Sequence, residues 1–301
     1  MKKTETLAKL ALFLATIIWG SSFVIIKDAL DLIVPNYLMA LRFTGACIIF
    51  CVVFHKKLRS ITPDMLWRGA VMGVCLFFAY FTQTLGAIEI TPGKSAFLTA
   101  IYCILVPFMA WIMGSKRPDR WNVIAAFVCI TGIGLISLKN DFTIGRGDVL
   151  TLIGGFFYSC HMVAIVKYGE DRDPVIMTIL QFATAAVIFW IATFLFDGGI
   201  QPVTLKVVPS IAYLCLFCTG AALLLQNFGQ KHTSPSAAAL ILTFESVFGT
   251  LFSIIMGRED LSFRIVSGFV LIFLAVVVSE TKLSFLKKKK EEMLNGANYR
   301  D

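Results

Sequence analysis

Ten apolar runs, each long enough to cross a bilayer, constrain this chain more than anything else in it. They lie at roughly 7–27, 35–54, 67–89, 93–114, 120–138, 147–167, 174–196, 208–230, 235–256 and 262–281. A hydrocarbon core of ~30 Å takes about 20 such residues as one helix. Hydrophobic residues fill 57% of the 301 positions and charged residues only 15%, against about 25% charged in a soluble domain. Mean hydropathy is +0.80. These figures predict an all-α integral membrane protein of ten transmembrane helices. The connections are short and leave no length for a separate soluble or catalytic module. The N-terminus has the basic start and apolar run of a secretory signal. No small-residue cleavage site follows, so it reads as a retained first span.

Net charge is +8, and its placement decides what it means. With the N-terminus in the cytoplasm, nineteen Lys and Arg fall on that side and seven on the other, with Arg42 left inside the membrane. Positive residues favour the cytoplasmic side, so both termini are expected inside the cell, at the plasma (inner) membrane. The run Lys287–Lys290 then sits beside anionic headgroups, which makes membrane lipids a partner. No fold is left over to carry nucleic acid. All eight cysteines lie in predicted spans, and Cys215 and Cys218 form a CxxC within an apolar run, which reads as packing and not as a redox or zinc site.

Two stretches repeat. Pro35–Phe50 matches Pro174–Phe189 without a gap, and Gly86–Gly114 matches Gly229–Gly257 in the same way. The offsets are 139 and 143 residues, and the difference fits a longer loop between spans 7 and 8. Each copy holds five spans, an odd number, so the second must enter the membrane facing the other way. The expected architecture is therefore two inverted five-helix repeats, 1–139 and 146–282, followed by a basic cytoplasmic tail, 283–301. Inverted repeats place a site near the midplane, where the halves meet. Gly69 with Gly73, Ala96 with Ala100, and the run Ser236–Ala239 give small-residue faces that mark close helix contacts.

On these residues the chain resembles the drug/metabolite transporter superfamily, and within it the EamA-type ten-helix carriers. The resemblance covers essentially the whole length. Trp19–Lys27 (WGSSFVIIK) is similar to the opening motif, and Leu41-Arg42-Phe43 to an arginine signature in the second span. Gln226 to Gly257 resembles the second-repeat hallmark, through Gln226, Gln230, Ala238, Ala239, Glu245 and Gly257. The family commonly has proline after that glutamate, where this chain has Ser246. The departure predicts that the local helix break is absent.

Polar groups at membrane depth are costly and usually face a partner or a water-filled cavity. Glu245 lies ten residues into span 9, ~15 Å from its start, and its repeat mate is Tyr102. Both are expected on a central cavity, with Glu245 binding a cationic group or carrying a proton; the alternative is a carboxylate held neutral by hydrogen bonds between helices. Arg42, whose mate is Gln181, reads first as a cation that fixes helix packing, through carbonyls or an acid, and otherwise as a captor of a substrate carboxylate. Trp19 and Ser22 in span 1, His161 in span 6 and Asn227 in span 8 complete the candidate substrate or proton pathway. His161 is as readily a packing group. Glu89 and Lys94 read as solvated loop charges. Gly93-Lys94-Ser95 looks like the end of a phosphate-binding loop, but Ile88 stands where that loop needs glycine.

The leading reading is a permease that moves a small-molecule substrate by alternating access. The resemblance implies export of amino acids or related metabolites, often with proton linkage; uptake and movement of lipid-linked sugars are the alternatives. The reading includes no catalytic residue, metal or cofactor. A homodimer is compatible with the sequence.

Overall fold

The computed structural model describes residues 2–115, 117–137, 144–258 and 260–281. The tail 283–301, with the Lys287–Lys290 run, lies outside the described residues, as do Lys116, Lys139 and Lys282. Within them the chain is helical throughout and contains no strand. Eight segments are long and apolar enough to cross a membrane: Lys3–Leu30, Pro35–Val53, Pro63–Glu89, Pro92–Ile112, Arg146–Gly169, Pro174–Phe196, Val208–Lys231 and Pro235–Ile255. Two further apolar stretches, Arg120–Gly132 and Phe263–Val278, are shorter.

Proline starts many of these helices. Pro35 opens α2 (Pro35–Val53), Pro63 opens α4 (Pro63–Glu89), Pro92 opens α5 (Pro92–Thr99), Pro174 opens α9 (Pro174–Phe196) and Pro235 opens α12 (Pro235–Leu242). Its fixed φ suits the first helical position, where no N–H is needed. Thr62, Thr91, Asp173 and Ser234 cap four of the five with side-chain oxygens. The N-terminus of α2 is capped from elsewhere: Asp197, just past α9, accepts from the Asn36 and Tyr37 N–H groups at 2.8 and 3.0 Å.

Packing is pairwise. α1 (Lys2–Leu30) runs along α11 (Ala222–Lys231) and α13 (Phe244–Ile255); α4 runs along α8 (Arg146–Gly169) and α9; α2 lies on α9; and α7 (Arg120–Ser137) lies on α14 (Phe263–Thr281). The α2–α9 contact is aromatic, with Phe43 stacked on Phe189 at 5.5 Å between centroids. The small-residue faces do mark close contacts. A Cβ on Gly69 would come within 2.4 Å of Leu180 Cβ, and one on Gly73 within 2.5 Å of Thr184 Cβ. Outward faces are apolar, as at Val187, Ile191, Phe194 and Leu195.

Two spans are broken midway. The Pro92–Ile112 segment interrupts at Ala100 and Ile101, between α5 and α6 (Tyr102–Ile112). The Pro235–Ile255 segment interrupts at Thr243, between α12 and α13. The expectation that Ser246, by replacing proline, removes this second break is overturned. Hydroxyls occupy the carbonyls there: Thr243 Oγ1 donates to Leu240 O and Ser246 Oγ to Thr243 O, both at 2.6 Å, a known way to bend a helix without proline. The segment Val208–Lys231 is also irregular, with a π-helical stretch at Leu214–Ala221 between α10 (Val208–Tyr213) and α11.

Candidate functional site

The two breaks bring Tyr102 and Glu245 together. Each follows its break by a residue or two, and both side chains are buried. Tyr102 Oη donates to Glu245 Oε1 at 3.1 Å. They line a cavity of about 30 Å³ with Trp19, Ser22, Gln83 and Tyr158, among others. A water needs roughly 10–15 Å³ of such space, so the cavity has room for about two waters and none for a metabolite. A solute can enter only if helices separate.

The lining is polar and tied together. Gln83 Nε2 donates to Thr99 Oγ1, and Tyr158 Oη donates to Gln83 Oε1, both at 2.9 Å. The Trp19 indole N–H donates to Cys218 O at 2.8 Å, a carbonyl of the π-helical stretch. Ser22 Oγ donates to Trp19 O at 2.7 Å. A close approach places α1 here: a Cβ on Gly20 would meet Phe248 Cβ at 2.4 Å and Gly249 N at 2.9 Å. Much of the lining comes in pairs separated by the two repeat offsets. Trp19 and Tyr158, and Phe23 and Met162, are 139 residues apart. Gln83 and Gln226, Thr99 and Leu242, and Tyr102 and Glu245 are 143 apart.

The family model described as the EamA-like transporter family matches the chain twice, at residues 6–138 and 145–281. The chain belongs to this family. It is a multi-pass membrane transporter. Among the EamA transporter's relatives, an uncharacterized transporter of Archaeoglobus fulgidus is 31% identical over 90% of this chain and 85% of its own. The uncharacterized transporter YoaV of Bacillus subtilis is 22% identical over 87% and 93%. Protein PecM of Dickeya dadantii is 21% identical over 95% and 96%. A crystal structure of another protein shares the fold, with a TM-score of 0.74, covering 90% of this chain and 96% of that one at 18% identity.

The EamA transporter does not gather all its sequence-nominated residues at this cavity. Glu245, Tyr102, Trp19 and Ser22 line it. Arg42, His161, Gln181 and Asn227 lie elsewhere. Arg42, fully buried, donates from Nε to Thr219 Oγ1 and from Nη2 to Tyr80 Oη at 3.3 Å, with its guanidinium 4.6 Å from the Tyr80 ring centre. It stands one layer behind Tyr80, which itself faces the cavity. Among the described residues it pairs with no carboxylate. His161 Nε2–H donates to Gln181 Oε1 at 2.6 Å. Asn227 donates to Thr178 Oγ1 at 2.6 Å and lines a separate cleft with Met72, Pro174 and Lys231. Lys94 corrects its sequence reading: it is no solvated loop charge, because its Nζ pairs at 2.8 Å with Asp148, which is 4% exposed.

Gln83, Thr99 and Tyr80 were missed. A signal existed for Gln83, since Gln226 is its mate just upstream of the gapless match, with Thr84–Leu85 between. Tyr80 had none.

Proposed function

We propose that this chain is a secondary carrier of ten transmembrane helices in two inverted five-helix repeats. It exports amino acids or related small metabolites across the plasma membrane by alternating access. Both termini are cytoplasmic, and transport is linked to protons through Glu245. The observation that carries this reading is the cavity lining in pairs 139 or 143 residues apart, with Tyr102 and Glu245 bonded to each other. Residues so related surround a twofold axis, and a site on that axis is equivalent when approached from either face. A carboxylate placed there is the group that a solute ammonium or a proton would occupy in turn, and Tyr102 is its alternate partner between turns.

The test is accumulation of a panel of radiolabelled amino acids in inverted vesicles, with and without an imposed pH gradient, beside vesicles lacking the protein. Gradient-dependent accumulation is expected for at least one solute. Accumulation that ignores the gradient removes the proton link and leaves facilitated transport. Accumulation equal to the control for every solute contradicts the amino-acid assignment.

A further inference from the structure

Three cavities lie in a file along α1. The Glu245 cavity shares Phe23 and Gln83 with a middle cavity of about 10 Å³. That cavity shares Lys27 and Pro92 with a vestibule of about 420 Å³ at the end of α1. Trp19, Ser22, Phe23, Ile26 and Lys27 stand at i, i+3, i+4, i+7 and i+8 along α1, so one face of it forms a wall of the whole path.

Lys27 stands at the neck, lining both the middle cavity and the vestibule. Its Nζ donates to Ala87 O at 2.8 Å, Ile88 O at 2.7 Å and Ile90 O at 3.3 Å, where α4 ends. An ammonium has three donors, and all three are spent on neutral carbonyls. Among the described residues no carboxylate pairs with it. Its charged neighbours in the vestibule have partners of their own: Arg258 pairs with Asp28, and Glu89 with Arg146 at 3.8 Å. Inside the middle cavity Thr84 and Ser95 are 2% and 1% exposed, and their hydroxyl oxygens have no hydrogen-bond partner among the described residues. A built site with a cation, two unspent hydroxyls and room for about one water asks for an acceptor.

We propose that the middle cavity is a transit site for the carboxylate of a passing solute, held by Lys27 with the hydroxyls of Thr84 and Ser95. This rests on the carrier reading and adds a selectivity for anionic groups on the vestibule branch of the path. A charge-assisted bond to carboxylate is roughly twice as strong as one to a neutral carbonyl. The solute therefore competes Lys27 away from the end of α4 and frees α1 from α4 at the neck. Without an anion, Lys27 falls back on the carbonyls and closes it.

The experiment uses full-length Ser22→Cys protein in right-side-out and inverted vesicles, with the same protein lacking that change as the labelling baseline. Two methanethiosulfonates are applied, one bearing a sulfonate and one a trimethylammonium group, each normalised to its rate with a free small thiol. From the vestibule face the sulfonate reagent is expected to react at least about fivefold faster. Lys27→Gln should bring the ratio to about one, and Lys27→Arg should preserve it. A ratio of one or below in the parent overturns the site, as does an unchanged ratio in Lys27→Gln. If Lys27→Gln fails to reach the membrane, the parent ratio and Lys27→Arg still decide. Labelling from both faces without charge preference sinks the transit site and spares the carrier. Labelling from the vestibule face alone, with the preference, does the reverse.

Discussion

The two ends of the molecule both carry ion pairs but differ in the path that leads inward from them. At the end where α4 begins, carboxylates do the work. Asp64 holds Arg172 at 2.7 Å and Arg68 at 2.9 Å, Asp173 holds Lys57, and Lys231 Nζ reaches Arg172 O at 2.8 Å. These bonds tie the start of α4, the α8–α9 turn and the end of α11 into one plate. No lining residue of the cleft beneath it is shared with the Glu245 cavity. At the other end Lys27 rests on neutral carbonyls, and shared lining residues lead from the vestibule to the central cavity. Ion pairs stand at this end as well, Lys94 with Asp148, Glu89 with Arg146 and Arg258 with Asp28. What separates the two ends is therefore the neck: Lys27 on neutral carbonyls here and, among the described residues, no cavity leading inward at the other.

The largest effect is expected midway between the ends. Glu245→Gln keeps the acceptor for Tyr102 but removes the titratable group, and should lower gradient-driven transport at least tenfold at equal expression; a wild-type rate would remove Glu245 from the mechanism. Next come the two ends. Arg172→Met leaves Asp64 with Arg68 and the Trp67 indole N–H, unpins the α8–α9 turn and should slow net transport severalfold, read in the same vesicle assay. At the vestibule end, Arg258→Gln breaks a pair whose side chains are 41% and 47% exposed. Such pairs contribute about 0–1 kcal/mol, so transport should change by less than about fivefold. A larger loss would mean that this end, too, is latched by ion pairs.

The smallest effect is a pH dependence at the ion-paired plate. Burial pushes the Asp173 carboxyl up, but hydrogen bonds from Lys57 and the Val175 N–H outweigh it and hold the group below its ordinary value near 3.8. A depressed native value means stabilisation that is complete above the ordinary value and lost as pH falls through the lowered one. Thermal unfolding of detergent-solubilised protein should therefore show a gap between wild type and Asp173→Asn that narrows below about pH 4. A gap independent of pH would show that the charge on Asp173 does not set it, since asparagine caps a helix about as well as aspartate.

Much of this was legible in the sequence. Long apolar runs can satisfy their backbones in lipid only as helices, so the elements followed from composition. The duplication nominated Tyr102 and Glu245 as partners, and they bond to each other. Other features depend on where helices bend, which periodicity does not encode. The break at Thr243 carries hydroxyls bonded to carbonyls and no proline, and such a bend leaves no proline mark in the sequence. Arg42 and His161 are, like Glu245, polar groups within predicted spans, yet each turns toward a neighbouring helix away from the cavity, to Thr219 and Gln181. Lys27 reads as one more basic residue at a span end until the carbonyls that receive it are seen.

Alternation itself is the central claim, and reciprocity tests it. Labelling rates of Ser22→Cys should be measured from each face, with and without Asp64→Asn, which weakens the ion-paired plate. The account predicts that the rate from the α4-start face rises while the rate from the vestibule face falls, because opening one end closes the other. A rise at one face with no change at the other, or a rise at both, would describe a pore and contradict it.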